Sequence, residues 1–186
     1  MIRRLLIALS VCSLVACSSQ SPATPSGVAA SASLDAKPAS GGGVPGVYAL
    51  SFWARVSGVY QEVSSLPVLN SVVLKADVTD LAGNPATAGT VTFEYCSYPG
   101  RANDSTNADE APKEACEQGQ AKWARLSSWS VADGTCRTLG AGAACIQFGI
   151  PRIPRSIGFR FRYAQKGTIA SGVSPARNFV WTAQLP

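Results

Sequence analysis

The stretch VVLKADVTDLAGNPATAGTVTFEY, residues 72–95, decides the fold, because it reads as two strands joined by a turn. VVLKADVT and TVTFEY both place an apolar residue at every second position, and the intervening DLAGNP is dense in turn-forming residues. A period of two predicts strands that bury one face. The residues expected on the buried faces are Val72, Leu74, Ala76, Val78, Val91, Phe93 and Tyr95.

The same alternation returns in IGFRFRY, residues 157–163, where the two arginines are expected to point away from the core. Further strands are expected near residues 47–56, 120–126, 145–150 and 178–182, and no segment has the pattern of an amphipathic helix. About seven short alternating strands with frequent turns predict an all-β fold, a single β-sandwich.

Residues 72–95 also resemble bacterial immunoglobulin-like (Ig-like) domains of the invasin and intimin type, whose pattern is a strand, a D-x-x-G-N-P turn, a glycine and a T-V-T-F strand. ADGT, residues 132–135, resembles the second D-x-x-G turn of those domains. The resemblance implies an Ig-like sandwich. The long segment after Cys96 and four cysteines in the domain depart from that family.

The N-terminus reads MIRRLLIALSVCSLVAC, a basic pair followed by a short apolar run that ends at Cys17. Twelve helical residues rise ~18 Å, which is too short for a ~30 Å hydrocarbon core, so residues 1–16 are expected to be a signal peptide. LVAC resembles the lipobox of bacterial lipoproteins, which implies a lipid on the Cys17 sulfur. The alternative is ordinary secretion with cleavage elsewhere.

Residues 17–46 are rich in Ser, Ala, Pro and Gly, and such a segment cannot bury enough apolar surface to fold. We expect a flexible linker with a reach of roughly 30 Å, followed by the sandwich at residues 47–186. The lipoprotein resemblance, with a serine after Cys17, implies a cell-envelope location, anchored in the outer membrane by the N-terminal lipid.

Four cysteines remain once the leader and Cys17 are set aside, and an even number in an exported chain implies disulfides. Three pairings exist. We favour pairing neighbours in the sequence, because each bridge then closes one local loop. The spacings include no C-x-x-C pair, which argues against zinc, and no cofactor is expected. The expected bridges are Cys96–Cys116 and Cys136–Cys145.

Five basic residues fall within fifteen positions and form a candidate site for an anionic polymer or lipid headgroup. The alternative is a solvated face. The acids of residues 97–115 are expected to form a solvated loop, since they lack a calcium-loop framework. The four tryptophans are expected either to lie in the core or to form a platform on which a sugar stacks. Of the four, Trp129 is expected to be the most exposed. The five basic candidates are Arg152, Arg155, Arg160, Arg162 and Lys166.

The composition argues against several classes of function. The chain contains no histidine, which excludes Ser-His-Asp and Cys-His catalysis, and nothing in the sequence would raise the pKa of one loop acid for acid–base work. The net charge of +5 falls to about +3 without the leader, too little to predict nucleic-acid binding. We expect a non-catalytic module that serves in binding, adhesion or envelope scaffolding, with an envelope protein or surface glycan as its partner. The alternative is a structural subunit that pairs through a sandwich edge strand.

Overall fold

The computed structural model describes residues 42–99, 109–131, 136, 139, 143–149 and 151–184. Cys17, the signal peptide and most of the predicted linker lie outside these residues, as does the predicted turn at 132–135. Within the described residues no helix is long and apolar enough to cross a membrane.

Ten strands and one short helix are present in the described residues. They are β1 (Gly46–Val56), β2 (Val59–Glu62), β3 (Ser65–Pro67), β4 (Val72–Asp80), β5 (Thr90–Ser97), α1 (Lys113–Glu117), β6 (Lys122–Ser130), β7 (Ala143–Phe148), β8 (Arg155–Ala164), β9 (Gly172–Val173) and β10 (Arg177–Thr182).

The strands form two sheets that pack face to face. The first sheet has the order β2-β1-β4-β7, and the second has the order β3-β10-β8-β5-β6, with β9 beside β8. Aromatic rings from the two sheets pack against each other. The ring centroids of Phe52 on β1 and Phe179 on β10 lie 5.0 Å apart, and those of Phe148 on β7 and Phe159 on β8 lie 4.9 Å apart. This shared core confirms the predicted all-β sandwich.

All seven predicted strands are confirmed, as β1, β4, β5, β6, β7, β8 and β10. The predicted inward faces of β4 and β8 are buried, and on β5 Val91 and Phe93 are buried while Tyr95 packs half-buried against the core. The short strands β2, β3 and β9 were not expected. The five-residue helix α1, between Cys96 and Gln120, was not expected either.

The turn between β4 and β5 is organised by Asp80. One carboxylate oxygen accepts hydrogen bonds from the backbone N–H groups of Ala82 at 2.9 Å and Asn84 at 2.8 Å, and the other accepts from the Asn84 side chain. Gly83 has a φ of +86°, which a residue with a Cβ adopts only under strain. The D-x-x-G-N-P pattern therefore suits this turn, because its Asp accepts the hydrogen bonds that close the turn and its Gly takes the left-handed conformation.

Residues 109–121, which we call the strap, cover the outer side of the second sheet at one end. Ala111, Ala115 and Ala121 bury their side chains against Cys96, and the bridge from Cys96 to Cys116 joins the strap to β5. This confirms the predicted Cys96–Cys116 disulfide, whose Cα atoms lie 5.9 Å apart.

The other predicted bridge, Cys136–Cys145, is also formed, with Cα atoms 5.4 Å apart. At the start of the domain, Val44 pairs with Ile169 before β1 begins at Gly46. Val44 therefore contacts the fold two residues ahead of β1.

The two ends of the sandwich differ. Gly46 at the start of β1 pairs with Asp80, so the chain enters at what we call the entry end. The opposite end, the tip, holds the β1–β2 turn, the connection from β3 to β4 and residues 151–154. Both sheets, the core that they share and both disulfides lie within residues 42–184.

Candidate functional site: the arginine face

A glutamate holds two arginines on the outer side of the second sheet. Glu94 on β5 lies opposite Arg160 on β8, with Arg162 one step along the same face. One Glu94 oxygen accepts from Arg160 Nε at 2.6 Å, and the other accepts from Arg162 Nε at 2.7 Å. The Arg160 guanidinium also lies over the Trp123 ring, 4.3 Å from its centroid, which is a cation–π contact.

A third arginine completes this surface. Arg125 on β6 pairs in register with Glu94, so both side chains leave the same side of the sheet. We name the set of Arg125, Arg160, Arg162, Glu94 and Trp123 the arginine face. Three guanidinium groups and one carboxylate give it a net charge of +2. Further along the sheet, Thr92 and Ser128 share a hydrogen bond of 2.7 Å.

The sequence-predicted basic cluster is only partly assembled. Arg160 and Arg162 do point outward, but Arg160 is not freely exposed: its side chain keeps only 18% of its surface, against 54% for Arg162. The expectation of an exposed Arg155 is wrong, because it forms a largely buried ion pair with Glu110 at 2.9 Å. A side chain in such a pair has lost most of its contact with solvent.

The two remaining candidates are exposed and lie apart from the arginine face. Arg152 lies at the tip, and Lys166 lies in the loop after β8, at the entry end. Sequence reasoning missed Arg125 and Glu94. The outward position of each in an alternating strand was the available signal, but only the strand register brings them together with Arg160.

The acidic segment is not a purely solvated loop. The Glu110 side chain is largely buried beside Arg155, which corrects that expectation. Asp109 accepts weak hydrogen bonds from the hydroxyls of Tyr95 at 3.3 Å and Ser97 at 3.5 Å. Exposed Glu114 accepts from the Asn178 side chain at 2.8 Å. No cluster of potential metal ligands occurs among the residues that the structure describes.

Burial raises the pKa of Glu110 to about 7, although the hydrogen bond and charge of Arg155 pull it down and Asp109 adds to the rise. This corrects the expectation that nothing would raise the pKa of an acid in this segment. The Glu110 side chain is only 7% exposed and is held by Arg155. It therefore has little surface to offer a substrate, and we assign it to the packing of the strap.

This pKa predicts how stability varies with pH. The folded pKa lies above the ordinary value of 4.5, so the folded state binds a proton that the unfolded state has released between those two values. The contribution of Glu110 to the free energy of unfolding is complete below about pH 4.5. It is lost as pH rises to about 7, and this loss is at most about 3 kcal/mol. Melting temperatures from pH 5 to 8 should fall for the wild type and vary much less for Glu110→Gln. Equal slopes would contradict this assignment.

The tryptophans do not share one platform. Trp181 is core, Trp123 lies under Arg160, and Trp53 lies under Lys75 on the outer side of the first sheet. Trp129 lies in β6 rather than in a turn and packs half-buried against the core.

A shallow pocket of about 280 Å³ adjoins Trp129. The Trp129 ring N–H is buried and has no hydrogen-bond partner in the described part of the chain. The lining contains no acid, no base and one amide, so the arginine face is the stronger candidate for a binding site. The residues that line the pocket are Tyr60, Val73, Trp129, Leu139, Cys145, Ile146 and Gln147.

No protein-family model matches the chain, and no curated protein matches its sequence. Two solved structures show a distant likeness. The soluble domain of PmoD from Methylocystis sp. ATCC 49242 (Rockwell) is 8% identical with a TM-score of 0.39, and the match covers 73% of this chain and 90% of that one. A chitin binding domain from Burkholderia pseudomallei is 9% identical with a TM-score of 0.32, over 64% of this chain and 56% of that one.

Proposed function

We propose that this chain is a membrane-tethered, non-catalytic module that holds an anionic envelope polymer on its arginine face. The observation that carries the proposal is the arrangement of three arginines around one nearly buried carboxylate. Glu94 cancels only one of three positive charges and takes only the Nε donors of Arg160 and Arg162. Their terminal N–H groups have no hydrogen-bond partner among the described residues, so they remain available to a ligand.

The chemistry of these groups favours carboxylate, phosphate or sulfate as the ligand group. A guanidinium presents paired N–H donors that match two oxygens of such a group, and a guanidinium that is already oriented loses less entropy when it binds. Arg160 is oriented by the Glu94 carboxylate and by the Trp123 ring. Beyond the strap, the outer side of the second sheet is open and extended, which suits a polymer better than a small molecule.

The rest of the proposal is supported by the sequence. The lipobox-like LVAC supports a lipid on Cys17, and the Ser-, Ala-, Pro- and Gly-rich residues that follow support a linker that would give the domain reach from the membrane. The non-catalytic role is supported by the lack of histidine in the chain and by the burial of Glu110, the described acid whose pKa is raised to about 7. An Ig-like sandwich, as the resemblance of residues 72–95 implies, would serve as the rigid carrier of this face.

Binding to immobilised dextran sulfate at low salt tests the proposal, with uncharged dextran as the reference. Arg125→Glu combined with Arg162→Glu should weaken binding at least about tenfold, because two of the three cations are reversed where screening is weak. Arg160 is left intact, since its loss would disturb the packing. Wild-type binding should also weaken as salt rises.

The matched control reverses the same number of charges elsewhere. Arg152→Glu combined with Lys166→Glu changes two exposed cations away from the arginine face. This variant should retain most of the wild-type affinity. Equal losses in the two double variants would show attraction to net charge alone, and no wild-type binding to dextran sulfate would also reject the proposal.

A further inference from the structure

Exposed apolar side chains concentrate at the tip. Of the eight large apolar side chains that are exposed in the described part of the chain, five belong to segments at this end, and the most exposed of these are Val59 at 63%, Leu69 at 55% and Ile153 at 51%. Leu69 lies beside the segment that carries Ile153, because the Leu69 N–H donates to the carbonyl of Pro151 at 3.1 Å. The five residues are Val56, Val59, Tyr60, Leu69 and Ile153.

Leu69 is held in a backbone conformation that disfavours leucine. Its φ is +68°, in the left-handed region where glycine and asparagine are far less strained. The segment is fixed there: Val68 N–H donates to Thr182 at 2.9 Å, and the Trp181 ring N–H donates to the carbonyl of Asn70 at 3.0 Å. More than half of the Leu69 side chain is exposed, so the fold gains little from it in return for the strain. A strained and exposed residue of this kind suggests a functional contact with something outside the domain.

The charges of the tip are all positive. In residues 55–60, 68–71 and 151–154, the charged side chains are Arg55 and Arg152, and both are exposed. Arg55 Nε donates to the carbonyl of Gly58 at 3.0 Å, which places its guanidinium at the β1–β2 turn. Protruding aliphatic side chains flanked by arginines, without an acid among them, match the interface of an anionic bilayer.

We propose that the tip docks on an anionic lipid bilayer, with Val59, Leu69 and Ile153 entering the headgroup region and Arg55 and Arg152 contacting lipid phosphates. The apolar side chains stand on three separate segments at one end of the sandwich, and a bilayer accepts them without a shaped pocket. This proposal does not depend on the arginine face, which lies on the side of the second sheet. A linker with a reach of roughly 30 Å would allow a tethered domain to turn its tip towards the membrane.

Cosedimentation of residues 42–186 with phosphatidylcholine vesicles, with and without phosphatidylglycerol, tests the proposal. The wild type should bind the anionic vesicles and bind phosphatidylcholine alone much more weakly. Leu69→Asn combined with Ile153→Ser should reduce partitioning at least about tenfold, because two aliphatic side chains leave the interface. Its melting temperature should be equal to or above that of the wild type, since asparagine tolerates the left-handed conformation.

Leu81→Asn is the matched control, because Leu81 is 73% exposed and lies in the β4–β5 turn at the entry end. It should bind vesicles as the wild type does. The Arg125→Glu and Arg162→Glu variant should likewise retain vesicle binding, which separates this proposal from the one on the arginine face. The proposal is overturned if the wild type ignores anionic vesicles, if the tip variant binds as tightly as the wild type, or if the arginine-face variant is the one that loses binding.

Discussion

Gly158→Ala is expected to lower the free energy of unfolding by about 2 to 4 kcal/mol and to lift the strap from the second sheet. A Cβ at residue 158 would lie 2.5 Å from the Cα of Lys113 and closer still to its backbone nitrogen, a contact that backbone atoms cannot relieve by changing rotamer. The Gly158 N–H also donates to the carbonyl of Ala111 at 2.8 Å. Relief of the clash therefore breaks a hydrogen bond and opens the small core around Cys96.

Thermal unfolding measures the loss, and hydrogen exchange locates it. For a domain of this size we expect a fall of roughly 10 °C in the melting temperature. The amide of Ala115, which donates within the strap to Pro112 at 3.0 Å, should exchange faster. Gly149→Ala is the control, because a Cβ there meets no atom within 4 Å. A stability of Gly158→Ala within about 0.5 kcal/mol of the control would show that the strap adds nothing to the fold.

The strap also shows where sequence reasoning reached its limit. The disulfide from Cys96 to Cys116 was predicted, because neighbouring cysteines and alternating strands are local signals. The helix α1 has only five residues and depends on the bridge to β5, on alanines that pack around Cys96, and on the close approach of the Lys113 backbone to Gly158. Pro112 followed by KEACE was a weak signal for a helix start. No residue pattern within the segment showed what it would pack against.

The arginine face was partly predictable for a related reason. Alternation correctly placed Arg160 and Arg162 on the outer side of their strand. Their partner Glu94 lies 66 and 68 residues away, and only strand order and register bring it opposite them. Register depends on the packing of the whole sheet, so a single strand does not reveal it. The ion pair of Arg155 with Glu110, 45 residues apart, was missed for the same reason.

Glu94→Gln is expected to lower the free energy of unfolding by about 2 to 3 kcal/mol at low salt. The Glu94 side chain is 11% exposed and Arg160 is 18% exposed, so removal of the carboxylate leaves a nearly buried cation without a counter-charge, beside Arg162. Arg162 is 54% exposed and contributes less, because water screens it. Added salt should recover part of the loss, since it weakens the repulsion among the arginines.

A double-mutant cycle with Arg160→Gln separates the ion pair from general disruption. Once Arg160 is neutral, the further change Glu94→Gln should reduce the free energy of unfolding by at least about 1 kcal/mol less than it does in the wild type. The reason is that no nearly buried Arg160 charge is then left without a counter-charge. Glu117→Gln is the control: its carboxylate is 50% exposed and pairs with Lys113 at 3.4 Å on the helix surface, so a loss below about 0.5 kcal/mol is expected. If Glu94→Gln and Glu117→Gln lose the same small amount, Glu94 does not hold the arginines in place. The arginine face would then lack the orientation that its proposed binding of an anionic polymer requires.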